Sequence, residues 1–253
     1  MIRFPHAKIN LGLNIVSRRT DGYHNIETIF YPVHEMQDAL EIAPAKGEKR
    51  AFQQSGITID GNPNENLVMK AYELLSKQYP LPELDVYLYK NIPLGAGLGG
   101  GSADASFMLN MLNEYAQLHL SVSELEHLAA RLGADCPFFI QSKPVFATGI
   151  GNEFEPITLS LDDYRISIVK PEIHVSTKDA YAHVVPKQPR VSLKEIIQLP
   201  VEEWKDKMVN DFEVSVFAQY PQIQAVKEDM YNQGALYSSM SGSGSAVFGI
   251  FKK

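Results

Sequence analysis

Residues 93–102 read Pro-Leu-Gly-Ala-Gly-Leu-Gly-Gly-Gly-Ser, with five glycines in the seven positions from Gly95 to Gly101. Glycine loses more chain entropy on ordering than any other residue, so such a run adds no stability of its own. It makes sense where backbone must pass close to a ligand and turn several N–H groups toward it. Ser102 opens a helix spanning about 103–116, whose N-terminus carries partial positive charge and favours phosphate. A second run of small residues, Ser241-Gly-Ser-Gly-Ser245, suits close approach to a phosphate or to substrate hydroxyls as well as a hairpin turn. Two charged residues stand out elsewhere. Lys8 lies on the polar face of an alternating strand, where a solvated lysine is the ordinary reading. Asp135, in Gly133-Ala-Asp-Cys-Pro137, would ordinarily be a turn or cap residue.

Familiar phosphate sites fail for want of a partner. Gly95, Gly97 and Gly100 satisfy G-x-G-x-x-G, but a dinucleotide fold needs a following strand ending in an acid about 20 residues on. Here two helical patterns follow. A Walker loop needs Gly-Lys-Ser/Thr, and no lysine lies between Lys90 and Lys143. A protein-kinase loop needs a valine where Ser102 stands, and the chain has no His-Arg-Asp or Asp-Phe-Gly.

Pro93-Leu-Gly-Ala-Gly-Leu-Gly-Gly-Gly-Ser-Ala103 resembles the phosphate loop of the GHMP small-molecule kinase superfamily. Ala7-Lys-Ile-Asn-Leu11 and Met240-Ser-Gly-Ser-Gly-Ser-Ala-Val247 are similar to two more of its motifs, in the same order. Within the superfamily, Asp21-Gly-Tyr-His24 and Leu132-Gly-Ala-Asp-Cys-Pro137 resemble the branch whose acceptor is a cytidine diphosphate-linked methylerythritol. The resemblance spans nearly the whole chain. It implies ATP-dependent phosphorylation of that acceptor's 2-hydroxyl, in the non-mevalonate route to isoprenoid precursors. Mg2+ would travel with the nucleotide, and no protein ligand for a metal is assigned. The implied architecture is a nucleotide-binding domain like the second domain of ribosomal protein S5 over residues 1–155, then a ferredoxin-like, substrate-side domain over 156–253, with the active site between them. The chain ends at Lys253, a few residues past the third motif, which implies a C-terminal domain lacking an outer element.

Carried over by motif, the resemblance makes Lys8 and Asp135 the catalytic pair. Asp135 would accept the acceptor's hydroxyl proton, and Lys8 would stabilise the developing alkoxide. Pro93, Leu94, Gly95, Ala96, Gly97, Leu98, Gly99, Gly100, Gly101, Ser102 and Ala103 would bind ATP phosphates, with Asn66 and Lys90 on the adenine side. Asn10, Tyr23, His24, Phe30, Thr177, Tyr181, Gly242, Ser243 and Gly244 would face the acceptor. A cytosine ring offers a π face to Tyr23 or Tyr181 and a polar edge to His24. A nucleotide-binding regulator without catalysis would need neither Lys8 nor Asp135. A kinase of mevalonate, homoserine or a sugar would not need the Asp21–His24 segment.

The elements that must position these residues form an α+β pattern, strands mixed irregularly with helices. Ala7, Ile9, Leu11, Leu13 and Ile15 alternate with Lys8, Asn10, Gly12 and Asn14, predicting a half-buried strand with an unusually polar second face. Strands are predicted at 26–33, 39–43, from Leu84 to near Pro93, and at 144–148, 164–169, 236–240 and 246–251. Helices are predicted at 67–79 behind Asn64–Asn66, at 178–184, 193–198, 211–219 and 222–233, and behind a capping box of Ser123 and Glu126 with Gly133 as its stop. Lys46–Arg50 reads as a charged loop.

Composition sets the frame. With 23 Lys+Arg against 30 Asp+Glu the formal charge is −7, which argues against a broad basic face for nucleic acid or anionic membrane. Cys136 is the only cysteine, so no intrachain disulfide forms, and its ordinary reading is a small buried apolar residue. The six histidines other than His24 show no paired metal spacing. The expectation is a cytoplasmic enzyme with small-molecule partners, a monomer or weak homodimer, without a membrane span or a secretion signal.

Overall fold

The computed structural model describes residues 1–47, 50–59 and 61–253. The charged loop expected at 46–50 therefore lies partly outside the described residues. The chain forms two compact units: Met1–Ala7, Pro32–Leu94 and Gly99–Lys143 make the first, and Lys8–Tyr31, Gly95–Leu98 and Pro144–Lys253 the second. A single boundary after residue 155 does not describe this division. Strands β2 (His6–Arg18) and β3 (His24–Gln37) are long enough to contribute residues to both units, so the cut falls within them.

The first unit holds β1 (Ile2–Arg3), β4 (Ala39–Pro44), β5 (Phe52–Gly56) and β6 (Leu84–Lys90) in the order β1-β4-β6-β5. Only the β5–β6 pair is parallel. Helices α1 (Leu67–Ser76), α2 (Gly100–Tyr115), α3 (Val122–Ala130) and α4 (Phe138–Gln141) complete it. Leu40, Ile42, Val86 and Leu88 of the sheet share one apolar core with Tyr72 and Leu75 of α1 and Met108 and Leu112 of α2. Asn66 caps α1 as expected, its side-chain oxygen accepting from Val68 N.

The second unit contains two sheets. One runs β2-β3-β7-β8, with β7 (Val145–Thr148) and β8 (Glu153–Pro156); the other runs β10-β11-β9, all antiparallel. Its strands are β9 (Tyr164–Val169), β10 (Tyr237–Met240) and β11 (Val247–Lys252), and its helices α5 (Thr177–Ala182), α6 (Leu193–Ile196), α7 (Phe212–Gln219) and α8 (Pro221–Asn232). Leu13, Ile15 and Ile26 pack with Phe212, Val216, Met230, Val247 and Phe251.

Three local expectations change. The capping box is Ser121 with Glu124, because the Ser121 hydroxyl accepts from Glu124 N while the Glu124 carboxylate accepts from Ser121 N; the helix ends at Ala130, short of Gly133. Helix α2 starts at Gly100, so two of the loop glycines form its first turn and Ser102 is its third residue. Strand β2 is buried on both faces from His6 to Asn14, polar side included. No helix among the described residues is long and apolar enough to cross a membrane.

His6 supplies a titration built into the core of the first unit. Its Nδ1 bonds the Ala7 carbonyl at 2.8 Å, its Nε2 is buried without a partner among the described residues, and its ring meets His34 edge-on. Burial, helped by the His34 charge, pulls its pKa from 6.5 down to about 4. The unfolded chain takes up this proton near pH 6.5 while the folded chain resists until about 4. Stability should therefore be full above pH 6.5 and fall by roughly 3 kcal/mol as pH drops through that window. We expect His6→Phe to flatten the urea midpoint against pH between 6.5 and 4, and an unchanged slope would remove His6 as a source.

Candidate active site

In the second unit the glycine-rich run is bound at backbone level to both other motifs. Lys8 N donates to Leu98 O at 2.9 Å, and Ala246 N donates to Ala96 O at 3.2 Å. Ala96 and Leu98 are buried anchors, while Gly95 and Gly97, which alternate with them, take left-handed φ of 58° and 77°. The Ser241 hydroxyl accepts from Asn10 N and donates to Gly97 O at 2.9 Å. A Cβ at Gly97 would collide with the Ser241 carbonyl oxygen, so the two small-residue runs touch where neither has room for a side chain.

Lys8 is 3% exposed, which removes the solvated-lysine reading. Its ammonium donates to Asn10 Oδ1 at 2.6 Å and lies 4.7 Å from the centre of the Phe30 ring. Asn10 Nδ2 donates to Thr28 Oγ1 at 2.9 Å, and Thr28 in turn donates to the Gly12 carbonyl. A chain of oriented dipoles thus fixes the lysine head group. Asn10 and Phe30, both expected on the acceptor side, are the residues that position it.

Other acceptor-side candidates pair off in the same unit. The His24 and Tyr181 rings stack with centroids 4.9 Å apart and 18° between planes, and Tyr181 meets Phe212 edge-on. Burial and the Arg18 charge lower the His24 pKa. Thr177 Oγ1 and Ser243 Oγ are 3.0 Å apart. Tyr23 has a ring that is 62% exposed, so it does not join this stack. Gly242 and Gly244 take φ of 56° and 90° within the second run. Sequence reasoning missed two supports of that run. Asn210 Nδ2 donates to the carbonyls of Met240 and Gly242, and Glu213 accepts from Met240 N, Ser239 and Lys227. Asn210 Oδ1 also accepts from Phe212 N, in a turn one residue ahead of Asp211, the N-cap of α7.

In the first unit Gly99 caps α2 in a left-handed conformation, with φ of 72°, after Pro93 and Leu94. The first turn, Gly100-Gly101-Ser102-Ala103, offers backbone N–H groups suited to an anion. Beneath it Lys90 is fully buried and paired with Asp38 and Asp104, the latter at 2.9 Å. Asp38 also accepts from Asn91 N and Ile92 N. Burial raises the Asp104 pKa, and the Lys90 ammonium opposes that shift. The Lys90 side chain, expected on the adenine side, is thus committed to supporting the loop. A Cβ at Gly100 would lie 2.8 Å from Lys90 Nζ and from Ile92, so the ion pair and the helix turn are packed against each other.

Asp135 is half-buried in the turn between α3 and α4. Its neighbour Cys136 is pinned to α2 by Ser106, whose hydroxyl donates to Cys136 O at 2.7 Å. The Cys136 thiol is raised to about 11, chiefly by burial, so it stays protonated and inert. A separate cavity of about 420 Å3 in this unit is lined by Phe52, Ile59, Pro63 and Asn66. It can take a flat heterocycle between apolar walls. Among the described residues no three His, Cys, Asp or Glu side chains group to hold a metal ion.

The GHMP kinases N terminal domain matches residues 66–143, and the GHMP kinases C terminal domain matches 192–253. A 4-diphosphocytidyl-2-C-methyl-D-erythritol kinase of Bacteroides fragilis is 58% identical, covering 99% of this chain and 92% of its own length. The chain belongs to the 4-diphosphocytidyl-2-C-methyl-D-erythritol kinase family. The Cytophaga hutchinsonii member is 50% identical over 99% of the chain. A crystal structure of a 4-(cytidine 5'-diphospho)-2C-methyl-D-erythritol kinase superposes with a TM-score of 0.85 at 32% identity, covering 99% of this chain and 90% of that one. A Methanococcus jannaschii mevalonate kinase shares the fold at 12% identity, with a TM-score of 0.68. The chain is therefore a small-molecule kinase of α+β GHMP architecture, as its motifs implied.

We expect Gly97→Ala to force the glycine-rich run away from Ser241. Strain at a left-handed φ costs about 1–2 kcal/mol, before any clash. Tm should fall and the KM for ATP should rise roughly tenfold. Unchanged ATP affinity would show that this contact does not shape the nucleotide site.

Proposed function

We propose that the chain transfers the γ-phosphoryl group of ATP to the 2-hydroxyl of 4-diphosphocytidyl-2-C-methyl-D-erythritol, in the non-mevalonate route to isoprenoid precursors. The observation that carries this reading is the 58% identity to a kinase of that name over nearly the full length of both chains. The positions with chemical roles are present and built: a lysine fixed by Asn10 and Phe30, an aspartate held in a turn, and an α2 N-terminus without side chains in its first two positions.

In the transfer, the bond from the γ-phosphorus to the β–γ bridging oxygen breaks, that oxygen leaving on ADP with the electron pair, while a new bond forms from the γ-phosphorus to the acceptor oxygen. The hydroxyl proton passes to the Asp135 carboxylate, and the Lys8 ammonium stabilises negative charge on the acceptor oxygen. The residues of 93–103 hold the phosphates through backbone N–H groups. Mg2+ carried in with the nucleotide would supply charge neutralisation for the phosphates, and no side chain is assigned as its ligand. The cavity at Asn66 takes adenine between Phe52 and Ile59. The stacked His24–Tyr181 pair, with Tyr23, takes cytosine, and Thr177, Ser243 and the neighbouring glycines take acceptor hydroxyls and phosphates. This reading puts the enzyme in the cytoplasm.

The deciding experiment offers Mg-ATP with the cytidyl acceptor, mevalonate or homoserine and follows ADP release. Turnover with the cytidyl acceptor alone is expected, and equal turnover with either other alcohol would overturn the assignment.

Asp135→Asn keeps volume but cannot take the proton at neutral pH. We expect kcat to fall ~10²–10⁴-fold with ATP affinity retained. A kcat within a few-fold of the parent would remove Asp135 from the base role.

A further inference from the structure

The second unit contains a cavity of about 790 Å3 that none of the residues assigned above lines. It sits at the far end of β2, where the strand is clamped on both sides. Leu13 N donates to Val209 O, Asp211 N donates to Leu13 O, and Lys187 N donates to Ile15 O, all at 2.8–2.9 Å. Ile15 N donates to Asp211 Oδ2 at 2.8 Å. Between these clamps Asn14 faces the cavity. It is 6% exposed, and its side-chain amide makes no hydrogen bond to any described residue. Its amide therefore opens onto the cavity with donor and acceptor available to a bound group.

The rest of the lining has three chemistries. Val191, Leu199 and Val209 supply apolar wall, although Val191 and Val209 are 48% and 42% exposed to solvent. Arg190 makes no ion pair among the described residues, and Lys187 comes only within 3.9 Å of Asp211. Glu195 and Asp206 add carboxylates, again without an ion pair among the described residues. An amide presents one donor and one acceptor, the complement of a nucleobase edge. Apolar walls suit the base faces, carboxylates accept from ribose hydroxyls, and a guanidinium pairs with phosphate. The volume suits a molecule of that size.

We propose that this cavity is a second nucleotide-binding site, which takes a nucleoside phosphate with its base on Asn14, its ribose toward Glu195 and Asp206, and its phosphate on Arg190 and Lys187. Adenine and cytosine both carry adjacent donor and acceptor groups, so adenosine and cytidine phosphates share the required chemistry. The site is separate from phosphoryl transfer and does not depend on the identity of the acceptor.

The test titrates AMP and CMP by calorimetry into the full chain already saturated with a non-hydrolysable ATP analogue and the cytidyl acceptor. One further equivalent of AMP or CMP should bind, and the tighter of the two identifies the source. Asn14→Leu and Arg190→Glu should each weaken that binding at least about tenfold while kcat and both KM values stay at parent levels. The exposed Arg190 substitution keeps the test sound should the buried Asn14 change disturb folding. Absence of binding by either nucleotide up to about 10 mM would overturn the proposal. So would binding that Arg190→Glu leaves unchanged, or inorganic diphosphate binding as tightly as the nucleotides, since the base would then contribute nothing.

Discussion

The second unit is organised around a place where two backbones meet with no side chain between them. Gly97 lies against the Ser241 carbonyl, and the Ser241 hydroxyl returns a hydrogen bond to Gly97 O. Leu98 and Ala96 extend that contact to Lys8 and Ala246. Segments far apart in sequence thereby become one backbone assembly, and their small residues are required by packing as well as by any ligand. Glycine at 97 would be needed here even if no phosphate were ever bound.

The first unit solves a related problem with charge. Two carboxylates and one ammonium are buried beneath the first turn of α2. Burial of such a group is costly, and removing one partner from a buried pair typically costs about 3–5 kcal/mol. What the arrangement provides is direction. Asp38 ties Lys90 to the backbone of Asn91 and Ile92, while Asp104 belongs to α2 itself, so the strand end and the helix start hold a fixed register. Gly100 packs directly on that ammonium.

Lys8 is handled differently. Its ammonium is oriented by an amide oxygen, Asn10 Oδ1, and by the aromatic face of Phe30. An ammonium oriented in this way remains able to respond to negative charge developing on a bound group. The buried polar face of β2 is thus a single ordered row. Lys8 and Asn10 serve one end, Gly12 provides the carbonyl that orients Thr28, and Asn14 opens onto the cavity at the other end.

Much of this was legible in the residues alone. Alternation revealed β2, periodicity revealed α1, α7 and α8 to within a residue or two at most ends, and the spaced motifs were specific enough to imply the family. These features are local, set by side-chain periodicity and backbone conformational preference over a few residues. The capping box was misplaced by two residues because Ser121/Glu124 and Ser123/Glu126 both offer the same spacing, and only the backbone bonds distinguish them. The burial of Lys8, the fate of Lys90 and the supports Asn210 and Glu213 were decided by tertiary structure. Each depends on partners brought from distant segments, such as Ser241 beside Asn10 or Asp38 beside Lys90, and no local pattern encodes such a meeting. Residue type and spacing therefore determined the chemistry available to this chain, while long-range packing decided which polar groups would be spent on holding the fold and which would face a ligand.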